Sequence, residues 1–143
     1  MTAIRTQIAE NVFARLEALG DATETELMPS SDPVSFPARH IFDGGHRLIE
    51  QEAGSTRYAL DLTVEGYLEA SGGHEALIAL NDLYAATVRA LITEPPLGGL
   101  AETIDEGDLR ITVAPLASKQ RLAFALDLVV TFSTRRDDPA QLA

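Results

Sequence analysis

Between residues 122 and 133 the chain alternates without a break. Leu122, Phe124, Leu126, Leu128, Val130 and Phe132 occupy every second position. A period of two is the strand repeat, in which successive side chains point to opposite faces of a sheet. A row this long predicts a sheet with one face covered and the other wetter. Tyr58, Leu60, Leu62, Val64 and Leu68 form a second row, with Asp61, Thr63, Glu65 and Tyr67 on the opposite side. Gly66 interrupts that row and marks a bulge or a close backbone approach. A shorter third row, Leu109, Ile111 and Val113, alternates with Arg110 and Thr112.

Cover for the sheet comes from two stretches of helical period. Ile4, Ile8, Val12, Leu16 and Leu19 predict a helix over residues 2–19, with Phe13 widening its stripe and Gly20 beyond its end. Arg15 falls inside the stripe and Arg5 near its edge, where their stems cover apolar surface or their heads meet carboxylates of a neighbouring subunit. Leu77, Leu80, Tyr84, Val88 and Leu91 predict a second helix over residues 74–93, stopped by Pro95-Pro96. Ile78, Leu83, Ala85 and Ile92 broaden its apolar face beyond what one sheet face requires. That excess implies a second packing surface, either the first helix or another subunit.

Residues 23–28 read as a short strand. Pro29, Pro33 and Pro37 exclude a helix in the next segment. Residues 29–56 read as an extended loop or arm, with Asp43-Gly44-Gly45 as a turn before a short returning strand. Asp105-Glu106-Gly107-Asp108 reads as another turn, and residues 115–121 as a connection. Residues 1–134 are expected to form a single domain, and residues 135–143 a frayed tail. The predicted class is α+β: an antiparallel or mixed sheet with two helices packed on one face, in the order helix, strands, helix, two strands.

Motifs of chemistry are sparse. Gly-Gly at 44–45, 72–73 and 98–99 lacks the flanks of a phosphate loop. His40, His46 and His74 do not share the spacing that sets two imidazoles on one helical face. Asp61, Glu65 and Asp127 are expected on one sheet face. They read as an acidic, solvated face, since a catalytic carboxyl group needs an apolar pocket to raise its pKa. No catalytic residue, cofactor or metal ligand is assigned.

The chain has 22 acidic and 11 basic residues, a formal charge of -11, and no cysteine. Such a surface disfavours a stable grip on nucleic acid, and the lack of thiols removes disulfides and thiolate metal sites. Residues 1–7 lack a signal-peptide core. No apolar run in the sequence approaches the ~20 residues of a membrane span. A cytoplasmic protein without membrane contact is expected.

Several stretches together carry a family likeness. They are the N-terminal helix beginning Ile4-Arg5-Thr6-Gln7-Ile8, the proline-rich Asp32-Pro33-Val34-Ser35-Phe36-Pro37, and the strand from Arg57 to Tyr67. The helix Leu80-Asn81-Asp82-Leu83-Tyr84 before Pro95-Pro96 and the closing strand Phe124 to Phe132 complete it. In this layout the chain resembles phage tail terminator proteins and the minor tail proteins of gene transfer agents. The resemblance implies a structural, non-enzymatic virion protein, assembled in the host cytoplasm and resident in the virion tail. It implies a homohexameric ring that terminates the tail tube. Its partners would be further copies of the chain, the major tail tube protein and the head–tail connector protein, with DNA only passing through the lumen.

Candidate subunit-interface residues under this reading are Arg5 and Arg15 on the first helix, Phe36, Arg39 and Leu48 on the arm, and Leu83 and Arg89 on the second helix. Two other classes fit the residues less well. One is a small-ligand-binding or hydrolytic α+β domain with Asp61, Glu65, Asp127 and the histidines around a cleft. The other is an acidic cytoplasmic adaptor for a basic partner.

Overall fold

The computed structural model describes residues 1–116 and 119–143. It runs α1 (Ile4–Glu17), β1 (Glu24–Leu27), β2 (Ala38–Gln51), β3 (Ser55–Ala70), α2 (His74–Leu91) and a 3-10 turn (Pro96–Gly99). β4 (Thr103–Pro115), β5 (Gln120–Arg135) and β6 (Asp138–Leu142) follow. One sheet holds these strands in the order β1-β2-β3-β5-β4, and β6 also pairs with β5. β1 runs parallel to β2, while the other pairs are antiparallel. β3 occupies one edge of β5 along its whole length. β6 therefore continues the edge that β4 leaves at Thr131.

The α+β class is corrected by this architecture. Strands take 48% of the residues, and the six-stranded sheet curls into a half-barrel, so the molecule is mainly β. The difference arises where glycine-rich, acidic stretches read locally as turns. Asp43-Gly44-Gly45 and Asp105-Glu106-Gly107-Asp108 do not reverse the chain. Each is an irregularity inside one long strand, with register shifts between Asp43 and His46 and between Glu106 and Leu109. Bulges of this kind bend a strand without ending it. Gly107 suits its place because an added Cβ would lie 3.2 Å from the Asp127 backbone oxygen. Half of the expected arm is accordingly the 14-residue β2, paired with β3. The tail expected to fray holds β6, and three strands follow α2 where two are expected. The expected connection over residues 115–121 includes residues 117–118, which lie outside the described residues.

The core lies between the sheet and the two helices. Leu122, Phe124, Leu126, Leu128, Val130 and Phe132 are all buried on the covered face of β5. Across the ladder they meet Leu68, Gly66, Val64, Leu62, Leu60 and Tyr58 of β3. Gly66 is where the Phe124 ring lies on the backbone. A Cβ there would stand 2.0 Å from Phe124 Cε2. Ile4, Ile8, Val12 and Leu16 of α1 and Leu80, Leu83 and Leu91 of α2 close the core from above. Burial of each such side chain is worth roughly 1.5–3 kcal/mol.

The proline-rich segment between β1 and β2 lies against the other sheet face. The Phe36 ring sits 4.8 Å from the Arg121 guanidinium, and Val34 N–H donates to the Glu24 carboxylate at 3.2 Å. Under it His40 is buried, with Nε2 2.5 Å from Glu24 Oε2.

Candidate functional site

Arg39 shows how far a side chain can depart from its expected place. It follows Ala38 at the start of β2, on the covered face, and is fully buried. Nε donates to Thr87 Oγ1 at 2.9 Å and Nη2 to the Leu83 carbonyl at 3.1 Å. Two further bonds reach the Asp21 carboxylate. The Arg39 hydrogen bond holds the Asp21 carboxyl below its ordinary range, against the opposing effect of burial. Arg39 and Leu83 are therefore interior residues of one chain, and the expectation that they meet another subunit is corrected. A buried guanidinium needs its partners fixed in place, and here α2 and the segment after α1 supply them.

The remaining interface candidates divide. Arg5 donates to Asp43 at 2.8 Å and to His46 Nδ1 at 3.3 Å. Arg15 donates to Asn11 at 2.7 Å and to Thr93 at 3.3 Å. Phe36 stacks under Arg121. These three are engaged within the chain. Leu48, 59% exposed, and Arg89 face outward.

Asp61, Glu65 and Asp127 do share the outer sheet face, but arginines from neighbouring strands stand among them. Arg47 of β2 reaches Asp61 with bonds of 2.9 and 3.3 Å. Arg110 of β4 reaches Asp127 with bonds of 2.5 and 3.0 Å, and Thr63 adds a third at 3.1 Å. Glu65 accepts from the Tyr67 hydroxyl. The Arg110 hydrogen bond lowers the Asp127 pKa, opposite to what a general acid needs. Two of the three carboxylates are thus paired with arginines diagonally across strands. Periodicity along one strand carries no record of such neighbours.

The histidines lie apart. His40 is locked to Glu24. His46 stacks on Tyr58 at 4.2 Å, and burial with the nearby Arg5 charge pushes its pKa down. His74 opens α2. Among the described residues, no group of three or more His, Cys, Asp or Glu side chains is placed to hold a metal ion.

The feature with most to offer a partner is an uncovered part of the core-side face. Leu109, Ile111 and Val113 of β4 lie opposite Leu126, Phe124 and Leu122 of β5, so they continue the core row outward. The helices stop short of them: they are 37%, 44% and 52% exposed. Beside them stands one flank of α2, where the Tyr84 hydroxyl donates to Glu106 at 3.1 Å. Leu77, two turns before Tyr84 on that flank, is 44% exposed. At the opposite sheet edge Leu48 and Ile49 of β2 are also more than half exposed. The extra apolar width of α2 is real, with Ile78 and Ile92 outward as well. By length and composition alone, the stretch His74–Gly99, which holds α2 and the 3-10 turn, is apolar enough to cross a membrane, where the sequence reading expects no such run. Leu80, Leu83 and Leu91 of that stretch are packed into the core.

No protein-family model matches the chain. No curated protein matches its sequence. The solved structures similar to it include a chain in the virion of a native gene transfer agent particle. That chain is 14% identical, with 90% of this chain and 92% of that one covered, at a TM-score of 0.46. A likeness so distant sets neither the fold nor the activity of this chain.

Proposed function

We propose that this chain is a structural virion protein whose copies form a hexameric ring that terminates a tail tube and joins it to the head connector. The observation that carries the reading is the pair of exposed apolar rows at opposite edges of the sheet, Leu109–Ile111–Val113 on β4 and Leu48–Ile49 on β2. A monomer with no partner ordinarily avoids such rows on sheet edges. Two different surfaces on one subunit suit head-to-tail contacts, which close into rings. The layout resemblance described above points the same way. At a formal charge of -11 per copy, copies repel except where they meet through uncharged surface. The same charge lets DNA pass a ring without a lasting grip. The ion pairs that occupy Asp61 and Asp127 support an assembly role over a hydrolytic one.

The test is the particle mass in solution, followed by negative-stain images of the purified chain mixed with tail tubes from its own particle. The expected result is a closed ring, free or seated on tube ends, with tubes that no longer lengthen. A chain that stays monomeric at every concentration and leaves tube ends bare refutes the proposal.

A further inference from the structure

The sheet ends in two open edges. β4 is 13 residues long, and its outer edge pairs with nothing among the described residues. β1 covers β2 only at Ala38–Ile41, so residues 43–51 have no strand partner on the other side, although the Asp43 N–H donates to Met28 Sδ at 3.1 Å. Edge strands are normally short, charged, proline-bearing or covered, because their free N–H and C=O groups recruit other strands. Both edges here carry charged residues and a register shift, and β4 ends at Pro115, yet each also exposes apolar side chains.

Leu48 also agrees in facing with the β4 row. Leu109, Ile111 and Val113 stand on the core side, opposite Leu126, Phe124 and Leu122. Leu48 stands opposite Tyr58, which itself faces Phe132 on the core side. Laid edge to edge, β4 of one copy and β2 of another place all these side chains on one face, where they bury each other. The unpaired backbone groups of both strands are satisfied at the same time. A β4–β4 contact would instead bring Asp105, Glu106 and Asp108 of both copies into one interface. On β2 the exposed Arg47 and Glu50 are already paired, with Asp61 and Arg57 respectively, both at 2.9 Å, so that edge adds no unpaired acid against them.

We infer that the occupant of the open β4 edge is a second copy of this chain, joined by strand addition to residues 43–51 of its β2, head to tail. The inference deepens the proposed ring and rests on it only for closure of the chain of contacts.

The absence of cysteine makes this directly testable. Leu48→Cys is combined in turn with Leu109→Cys, Ile111→Cys or Val113→Cys. Within one copy β2 and β4 are separated by β3 and β5. That is three strand spacings, roughly 14 Å along the sheet, beyond the reach of a disulfide. Any disulfide formed under mild oxidation therefore joins two copies. At least one double variant should give a ladder of covalent trimers and larger species, while each single variant gives at most dimers. Ile111→Lys should keep the parent's urea midpoint, yet adding it to a Leu48→Cys/Val113→Cys chain should abolish the ladder. Closed rings seen by mass and microscopy with no ladder from any pair overturn the edge contact and leave the ring standing. A ladder that never closes, and no tube capping, overturns the ring and leaves the edge contact standing. Ladders equal in the single and double variants overturn the head-to-tail arrangement.

Discussion

Removing Asp21 should harm this protein more than removing the arginine it pairs with. Asp21→Ala leaves the Arg39 guanidinium in the interior, fully buried, with Nη1 deprived of its carboxylate. Nε keeps Thr87 and Nη2 keeps the Leu83 carbonyl. Breaking a buried ion pair from one side costs about 3–5 kcal/mol. The Asp21 side chain is 35% exposed, so water can enter the vacated place, and the expected cost falls to about 2–3 kcal/mol. Arg39→Met removes the charge itself. Thr87 still donates to the Leu83 carbonyl at 2.8 Å, and Asp21 turns to solvent. No buried polar group is orphaned, and the thioether chain fills the space left by the arginine stem. That variant should lose about 1 kcal/mol or less. Urea unfolding at a fixed low protein concentration distinguishes the two. With a slope of roughly 1.5 kcal/mol/M, Asp21→Ala should lower the midpoint by about 1.5–2 M and Arg39→Met by well under 1 M. A larger loss for Arg39→Met than for Asp21→Ala refutes the account of Arg39 as a buried charge whose stability depends on its partner.

Further expectations rest on other contacts. Gly66→Ala drives a methyl into the Phe124 ring and should cost about 3 kcal/mol in urea unfolding; adding Phe124→Leu should give a double variant less damaged than the two single losses combined. Burial opposes ionisation of Glu24, yet the His40 hydrogen bond and the Val34 N–H hold its carboxyl below the ordinary 4.5. A carboxyl depressed on folding adds stability that is complete above its unfolded value and disappears as pH falls through the folded one. Glu24→Gln should therefore flatten the acid side of the urea-midpoint profile, and an unchanged slope would exclude Glu24 as a contributor. For His46, burial is the larger cause of the lowered pKa and the Arg5 charge the next. Arg5→Met should raise the value seen by NMR titration without restoring it to 6.5; no upward movement would remove Arg5 from the account.

The elements most legible in the sequence were those whose burial follows a single local period. The six apolar positions of β5 and the stripe of α1 are read from spacing alone, because a strand or helix turns its side chains by a fixed angle per residue. The close approach at Gly66 was also readable, since a gap in an otherwise apolar row has few other uses. The candidate site fared worse. Five of its proposed interface residues, Arg5, Arg15, Phe36, Arg39 and Leu83, make their main contacts within the chain. Leu109, Ile111 and Val113, the row most available to a partner, show in the sequence only the period of one more strand.

By itself, then, the sequence determined the periods of the main strands and helices, the acidity of the surface and the absence of thiol chemistry, all properties of single residues or near neighbours. Only the tertiary structure decided that two glycine-rich stretches bulge rather than turn. It alone set Arg39 inside, placed Arg47 and Arg110 beside Asp61 and Asp127, and left β4 at an open edge. Each of those outcomes depends on which strand lies alongside. Strand pairing joins residues tens of positions apart, and no local pattern encodes it.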